Sequence, residues 1–173
     1  MRRKPSRGEI TYVLPELVAE NTSAVLIESR LPDAIVTATS AVDGPVLGVA
    51  RESIVPVCRL LKEEAGFNRL SAVTAVDWWP REPRFEVIYL LHSLGNATRV
   101  RLSVRVGEGV EVDSVTSVWR GANWYEREVF DLFGIPFRNH PNLERIMMPA
   151  DWEGHPLRKD YPVHGHKYSY TDE

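Results

Sequence analysis

Residues 99–106 read Arg99-Val100-Arg101-Leu102-Ser103-Val104-Arg105-Val106. Polar and apolar residues alternate without a break, the period of a strand whose successive side chains point to opposite faces. Val100, Leu102, Val104 and Val106 supply a core face, and Arg99, Arg101, Ser103 and Arg105 a polar one. Such alternation belongs to an antiparallel sheet covered on one side only. Two further strand-like runs precede it, Leu70 to Trp78 and Phe85 to Leu91. Upstream, Ala34-Ile35-Val36-Thr37-Ala38-Thr39 and Val46-Leu47-Gly48-Val49-Ala50 flank the turn signal Asp43-Gly44-Pro45, which predicts a hairpin.

Helical spacing appears in three places. Residues 15–30 carry Leu17, Val18, Ala24, Val25, Leu26 and Ile27 and close at Leu31-Pro32. Ser53 opens a second run, with Val57, Leu60, Leu61 and Ala65 on one stripe and Gly66 as its stop. The third spans 123–133. Asn123 followed by Glu126 resembles a capping box, Gly134 ends the helix, and Pro136 prevents its continuation. Tyr125, Val129, Leu132 and Phe133 share a stripe there. Arg127 and Asp131 stand four apart on the polar side, and Glu128 lies nearer the apolar side, where it needs an arginine partner. The order helix, hairpin, helix, meander predicts an α+β fold, a mostly antiparallel sheet with helices packed on one face, followed by an extended C-terminal arm.

That arm starts at residue 136. Pro136, Pro141, Pro149, Pro156 and Pro162 punctuate it, and neither structural period is sustained. Disordered tails are poor in large apolar groups, yet this one carries Phe137, Leu143, Ile146, Met147, Met148, Trp152, Leu157, Tyr161, Tyr168 and Tyr170. A segment with fixed proline φ angles and many apolar groups is cheap to order against a surface. That surface belongs to another protein in one reading and to the chain's own domain in the other. The chain thus divides into a basic, solvated N-terminus (1–13), an α+β domain (14–135) and a partner-binding arm (136–173).

Composition narrows the function. The 173 residues carry a net charge of -3, whereas nucleic-acid binders are usually basic. Cys58, the sole cysteine, makes no internal disulfide, iron–sulfur cluster or thiolate zinc site, and its apolar surroundings mark it as a small core residue. No run of 18 apolar residues predicts a membrane span. The basic start, Met1 to Arg7, lacks the apolar run of a secretory signal. His140, His155, His164 and His166 sit in the arm with Asp151 and Asp160, but their spacing fits no metal motif and reads as polar anchoring. Glu126, Glu128 and Asp131 lack a nucleophile and an orienting partner. Gly107-Glu108-Gly109 reads as a turn. In 155–162, Arg158, Lys159 and Asp160 lie between two prolines, and Arg158 can grip a carboxylate with two bonds.

Glu126-Arg127-Glu128-Val129-Phe130-Asp131-Leu132-Phe133-Gly134-Ile135 resembles the signature helix of the C subunit of NADH–quinone oxidoreductase, respiratory complex I. Phe137, His140-Pro141, Leu143 and Arg145-Ile146 continue the pattern. Asp151-Trp152 and the block from Gly154 to Pro162 complete it. The resemblance implies a non-catalytic subunit of the peripheral arm, on the cytoplasmic side of a bacterial inner membrane and without a membrane span or nucleic acid. It implies no cofactor bound by this chain, FMN and iron–sulfur clusters being carried by companions. It also implies docking to the terminal iron–sulfur subunit and the large quinone-site subunit. Carried onto this sequence, the structural signature is Glu126, Arg127, Glu128, Asp131 and Gly134. The partner-binding residues are His140, Trp152, His155, Leu157, Arg158, Lys159, Asp160 and Tyr161. Counterparts of the family serve membrane-bound hydrogenases and other donor-fed quinone oxidoreductases, so an equivalent scaffold role there is the alternative.

Overall fold

In the computed structural model, which describes residues 21–41 and 44–162, Asn21 caps the first helix by accepting the Ala24 N–H through its side chain at 2.9 Å. That helix, α1, spans Thr22–Arg30 and turns Ala24 and Ile27 inward. The basic N-terminus, the predicted helical start at 15–20, and His164, His166, Tyr168 and Tyr170 lie outside the described residues. Strands β1 (Ile35–Ala41) and β2 (Gly44–Val49) form the expected antiparallel hairpin. A single 3-10 turn, Arg51–Ser53, leads into α2, Ile54–Glu63. Its buried residues Ile54, Val57, Cys58 and Leu61 recur at helical spacing and form the stripe that seats it.

The meander follows as β3 (Arg69–Asp77), β4 (Phe85–Ser93) and β5 (Thr98–Val106). The five strands lie in the order β1-β2-β5-β4-β3. All pairings are antiparallel except β2 with β5, where Val46, Leu47 and Gly48 run parallel to Arg101, Leu102 and Ser103. The sheet is therefore mixed at one seam, because the hairpin adds to the meander at its last strand and not at its first. Registers Val73↔Tyr89, Val87↔Val104, Tyr89↔Leu102 and Leu47↔Leu102 put these side chains on one face. They belong to a single core with Ile27, Val57, Leu61 and Val129 from the helices.

Helix α3 spans Ala122–Phe133. The expected capping box does not form: Gly121 stands at the N-cap and no side chain closes it. Glu126 instead points inward, away from the helix start. Gly134 ends the helix with φ +72°, its N–H donating to the Phe130 carbonyl at 2.8 Å. The chain then pairs in parallel as β7 (Phe137–Arg138) with β6 (Val112–Asp113), which fastens the root of the arm beside the loop that precedes α3.

Gly134 is required twice over. Left-handed backbone is strained for a residue with a side chain. A Cβ there would also lie 2.5 Å from Arg158 Nη2 and from His155 Cδ2 and Nε2. Gly134→Ala is expected to cost at least about 1–2 kcal/mol from the backbone alone, and to push the arm off the domain. Limited trypsin digestion checks this, with faster cleavage after Arg158 and Lys159 than in the wild type. Unchanged cleavage would mean the arm is not held at this point.

Candidate functional site

From Ile135 to Pro162 the chain folds back over the end of α3 and across the β3–β4 turn. Two buried carboxylates, Asp77 and Asp131, hold it there, and a third, Glu126, fixes the loop before α3.

The first sits where β3 ends. Asp77 falls on the inward side of its strand, opposite Phe85, and only 4% of it is exposed. Arg84, 3% exposed, grips it with a two-bond fork, Nε to Oδ1 at 3.1 Å and Nη2 to Oδ2 at 2.9 Å. The same guanidinium donates to Asp160 at 2.5 and 3.0 Å and to Glu108 at 3.1 Å. Asp77 also accepts the N–H groups of Lys159 and Trp79, each at 2.9 Å. Arg158 donates to the Phe133 carbonyl and to Glu108, both at 2.6 Å. Both guanidinium groups lie over the Phe85 ring, at 4.9 and 5.3 Å. Burial pushes the Asp77 carboxyl up, but the bonds from Arg84, Lys159 and Trp79 outweigh it and bring it down to about 2. Arg84 likewise holds Asp160 below the ordinary carboxylate range.

The second centre is Asp131, fully buried in the last turn of α3. Its Oδ2 accepts three consecutive backbone N–H groups, from Ile146, Met147 and Met148, at 2.9, 2.7 and 2.8 Å. Oδ1 takes Arg145 at 2.6 Å. His155 Nδ1 meets the Asp131 carbonyl at 2.9 Å, so that nitrogen carries the proton. The expected Arg127–Asp131 pair is absent. Asp131 faces inward, and Arg127 donates instead to the carbonyls of Glu144 and Arg145 at 3.0 and 3.2 Å, under the Trp124 ring. Burial raises the Asp131 carboxyl, and the Met148 amide, Arg145 and the other two amides lower it further than that, for a net fall.

The third is Glu126, also fully buried. Its Oε2 accepts the Ser114 hydroxyl at 2.6 Å and Oε1 the Val115 N–H at 2.7 Å. His140 Nε2 lies 3.9 Å away. That imidazole is fixed neutral, with Nε2 donating to the Asn123 carbonyl at 3.2 Å and Nδ1 accepting the Asn142 N–H at 3.1 Å. Burial depresses its pKa. Glu128, expected to need an internal partner, is instead exposed and unpaired among the described residues; the inward carboxylate is two positions earlier. Burial raises Glu126 to about 7, against smaller opposing effects of Ser114 and Val115.

A carboxyl with a raised folded pKa contributes stability that is complete below its unfolded value and lost as pH rises through its folded value. Here that window runs from 4.5 to about 7, a loss of about 3 kcal/mol. A glutamine in its place keeps a hydrogen bond to Ser114 and to the Val115 N–H without ionising. Glu126→Gln is therefore expected to gain about 3 kcal/mol on the wild type between pH 5 and 8 in urea unfolding. Parallel curves for the two proteins would show that Glu126 ionises without cost.

The arrangement is a clamp. Its carboxylates are occupied by guanidinium and amide groups, and no group of three or more His, Cys, Asp and Glu placed to hold a metal ion occurs among the described residues. No described helix is long and apolar enough to cross a membrane. Of the residues assigned to partner binding, His140, His155, Arg158 and Asp160 make the bonds just described within the chain. Tyr161 reaches the Glu153 carbonyl at 3.5 Å, and Trp152 is half-buried. Lys159 gives its N–H to Asp77 while remaining exposed, and Leu157 is turned outward. Sequence patterns do not single out Asp77, Arg84 or Ser114, and they mark Glu108 only as part of a turn. A signal for Asp77 exists: it occupies an inward position of the Leu70–Trp78 run, where a charge demands a partner. Outside this clamp, large apolar groups face solvent. Trp124 and Met147 are each 61% exposed, Leu157 is 53% exposed, and Ile146, next to Met147 in the chain, is 36% exposed.

The family model described as the respiratory-chain NADH dehydrogenase 30 kDa subunit matches residues 47–167. The NADH-quinone oxidoreductase C subunit of Geotalea uraniireducens is 46% identical over 150 residues, covering 86% of this chain and 92% of the relative. The C subunit of a Roseiflexus species is 47% identical over 148 residues, covering 84% and 85%. Among solved structures, a chain of the membrane-bound sulfane sulfur reductase, an archaeal respiratory membrane complex, superposes with a TM-score of 0.67. It is 27% identical, with 79% of this chain and 82% of that chain covered.

Proposed function

This chain belongs to the respiratory-chain NADH dehydrogenase 30 kDa subunit family, and we propose that it is a cofactor-free structural subunit of a proton-pumping NADH–quinone oxidoreductase. In this reading it sits in the peripheral arm of the complex, on the cytoplasmic face of a bacterial inner membrane. It docks the terminal iron–sulfur subunit and the large quinone-site subunit, while companions carry FMN and the clusters. Electrons then pass from NADH to quinone through those companions, and this chain fixes their spacing.

The observation that carries the reading is the construction of the arm. A segment with almost no regular secondary structure is locked to its own domain by Asp77 and Asp131, yet it leaves Ile146, Met147 and Leu157 facing outward. Contiguous exposed apolar groups mark interaction surfaces, and Ile146 and Met147 are consecutive. Holding them in place beforehand removes the ordering cost that a flexible tail would bear on docking. Arg127 extends the same surface by joining Trp124 on α3 to the 144–145 backbone.

The test is a gentle detergent extraction of the tagged chain from its own membranes, with mass spectrometry of its companions and an NADH–quinone assay. Iron–sulfur and quinone-site subunits together with NADH activity are the expected result. A chain that emerges alone in several detergents would refute the scaffold role. A second reading, the same scaffold in a complex fed by another donor or in a membrane-bound hydrogenase, is favoured by the likeness to the archaeal sulfane sulfur reductase. The same companions without NADH activity would select it.

A further inference from the structure

The face of the sheet turned away from the helices carries a feature that stability does not explain. Arg69 on β3 stands directly opposite His92 on β4, and His92 stands directly opposite Arg99 on β5. Residues directly opposite across paired strands share a face. Their backbones are about 4.8 Å apart per strand, so two arginines and a histidine form one row across three strands. Arg101 follows two residues further along β5, on the same face and opposite Leu90. These side chains line one depression with Leu90 and Pro45. No carboxylate lines it among the described residues. Arg101 has an electrostatic or hydrogen-bonding contact, whereas Arg69 and Arg99 make neither a hydrogen bond nor an ion pair among the described residues.

Arg69 and Arg99 flank His92 from the strands on either side, their backbones about 10 Å apart. Several arginines elsewhere, Arg84, Arg138, Arg145 and Arg158, each face a carboxylate. Arg105, further along the same outer face, is matched to Glu86 at 3.7 Å and stacked on Trp78. At the opposite end of that face the row meets no carboxylate among the described residues.

We infer that the Arg69–His92–Arg99 row is a docking surface for an acidic segment of a neighbouring subunit, separate from the arm. The inference rests on the scaffold reading above and names the chemistry of one partner. Charge complementarity argues for the occupant: an extended acidic strand laid across β3, β4 and β5 can offer carboxylates to Arg69 and Arg99. Leu90 and Pro45 give its intervening apolar groups a floor. Arginine suits this task because its planar fork takes a carboxylate with two bonds.

The test uses the full chain in its complex. The double variant Arg69→Gln/Arg99→Gln replaces the wild type at its own locus, and the isolated complex is washed through a salt series. Exposed ion pairs weaken as the screening length falls. The variant is expected to leave its companions at lower salt, with roughly tenfold less chain retained than wild type near 0.3 M. Arg69→Lys/Arg99→Lys should fall between the two, since it keeps the charge and loses the two-bond fork. The isolated Gln variant should melt near the wild-type temperature, since neither arginine makes a hydrogen bond or ion pair among the described residues. A cross-linker on Ser71→Cys, which lines the same depression, should capture a companion stretch rich in Asp and Glu; Cys58 is buried and does not compete.

Equal retention of the Gln variant and the wild type would overturn the inference and leave the scaffold reading standing. So would cross-links confined to residues 1–20 or 163–173 of this chain, which would make the row a seat for its own terminus. Arginine-dependent binding to phosphatidylglycerol vesicles, with no cross-link to a companion, would assign the row to a membrane surface instead. If even the wild type brings down no companions, both readings fall together.

Discussion

Arg84→Ala is expected to lower the stability of the isolated chain by about 3–5 kcal/mol, because it leaves Asp77 buried without its counter-charge. For a chain of this length that is a fall of about 10 °C or more in melting temperature. The loss propagates to the arm. Asp160 and Glu108 lose a shared donor, and the Lys159 amide is left bound to a carboxylate that is itself destabilised. Wild-type stability should also show an acid limb. Asp77 is held near 2 against an ordinary 3.8, so its contribution, about 2 kcal/mol, is complete above pH 4 and lost as pH falls through 2. In Arg84→Ala the Asp77 share of that limb should disappear, while the share from Asp131 remains. Urea unfolding from pH 2 to 7 measures both effects. A wild-type-like stability would mean that Asp77 finds another partner.

Asp131→Ala is the second large effect, expected at about 3–4 kcal/mol, since hydrogen bonds to a charged group are each worth about 1.5–3 kcal/mol and do not add fully. Three amides and Arg145 converge on this one carboxylate. Hydrogen exchange should therefore lose protection at Ile146, Met147 and Met148 first, while the amides of β4 and β5 keep theirs. Loss of protection spread evenly over the sheet would contradict a local role. Either substitution should also weaken assembly, because Ile146, Met147 and Leu157 are then no longer held in place.

Most of the domain is legible in the sequence because its elements are periodic. The alternation of 99–106 and the helical stripe of Val57, Leu60 and Leu61 survive in the fold. The parallel seam between β2 and β5 is not legible, since pairing between distant strands leaves no local period. The signature residues stand out through a resemblance, but local rules misplace them. Asn123 and Glu126 fit a capping box, and Arg127 and Asp131 a surface pair, yet tertiary contacts from 114–115 and 145–148 claim both carboxylates. The apolar stripe through Tyr125 and Val129 points to Glu128 as the inward acid, whereas the inward groove falls at 126. The charged motif of 155–162 reads as an anchor, and Arg158 and Asp160 do anchor, though onto Glu108, Phe133 and Arg84 of their own domain. No rule of spacing links residue 84 to residue 160.

The central claim is that this chain holds a respiratory complex together without carrying a step of its chemistry. Deletion of the chain followed by native electrophoresis of the membranes, with NADH–quinone turnover measured on the same samples, tests it most directly. Loss of the assembled complex and of turnover together, both restored by the wild-type chain, is the predicted result. A complex of unchanged size that has lost turnover would place a chemical step on this chain and contradict the account.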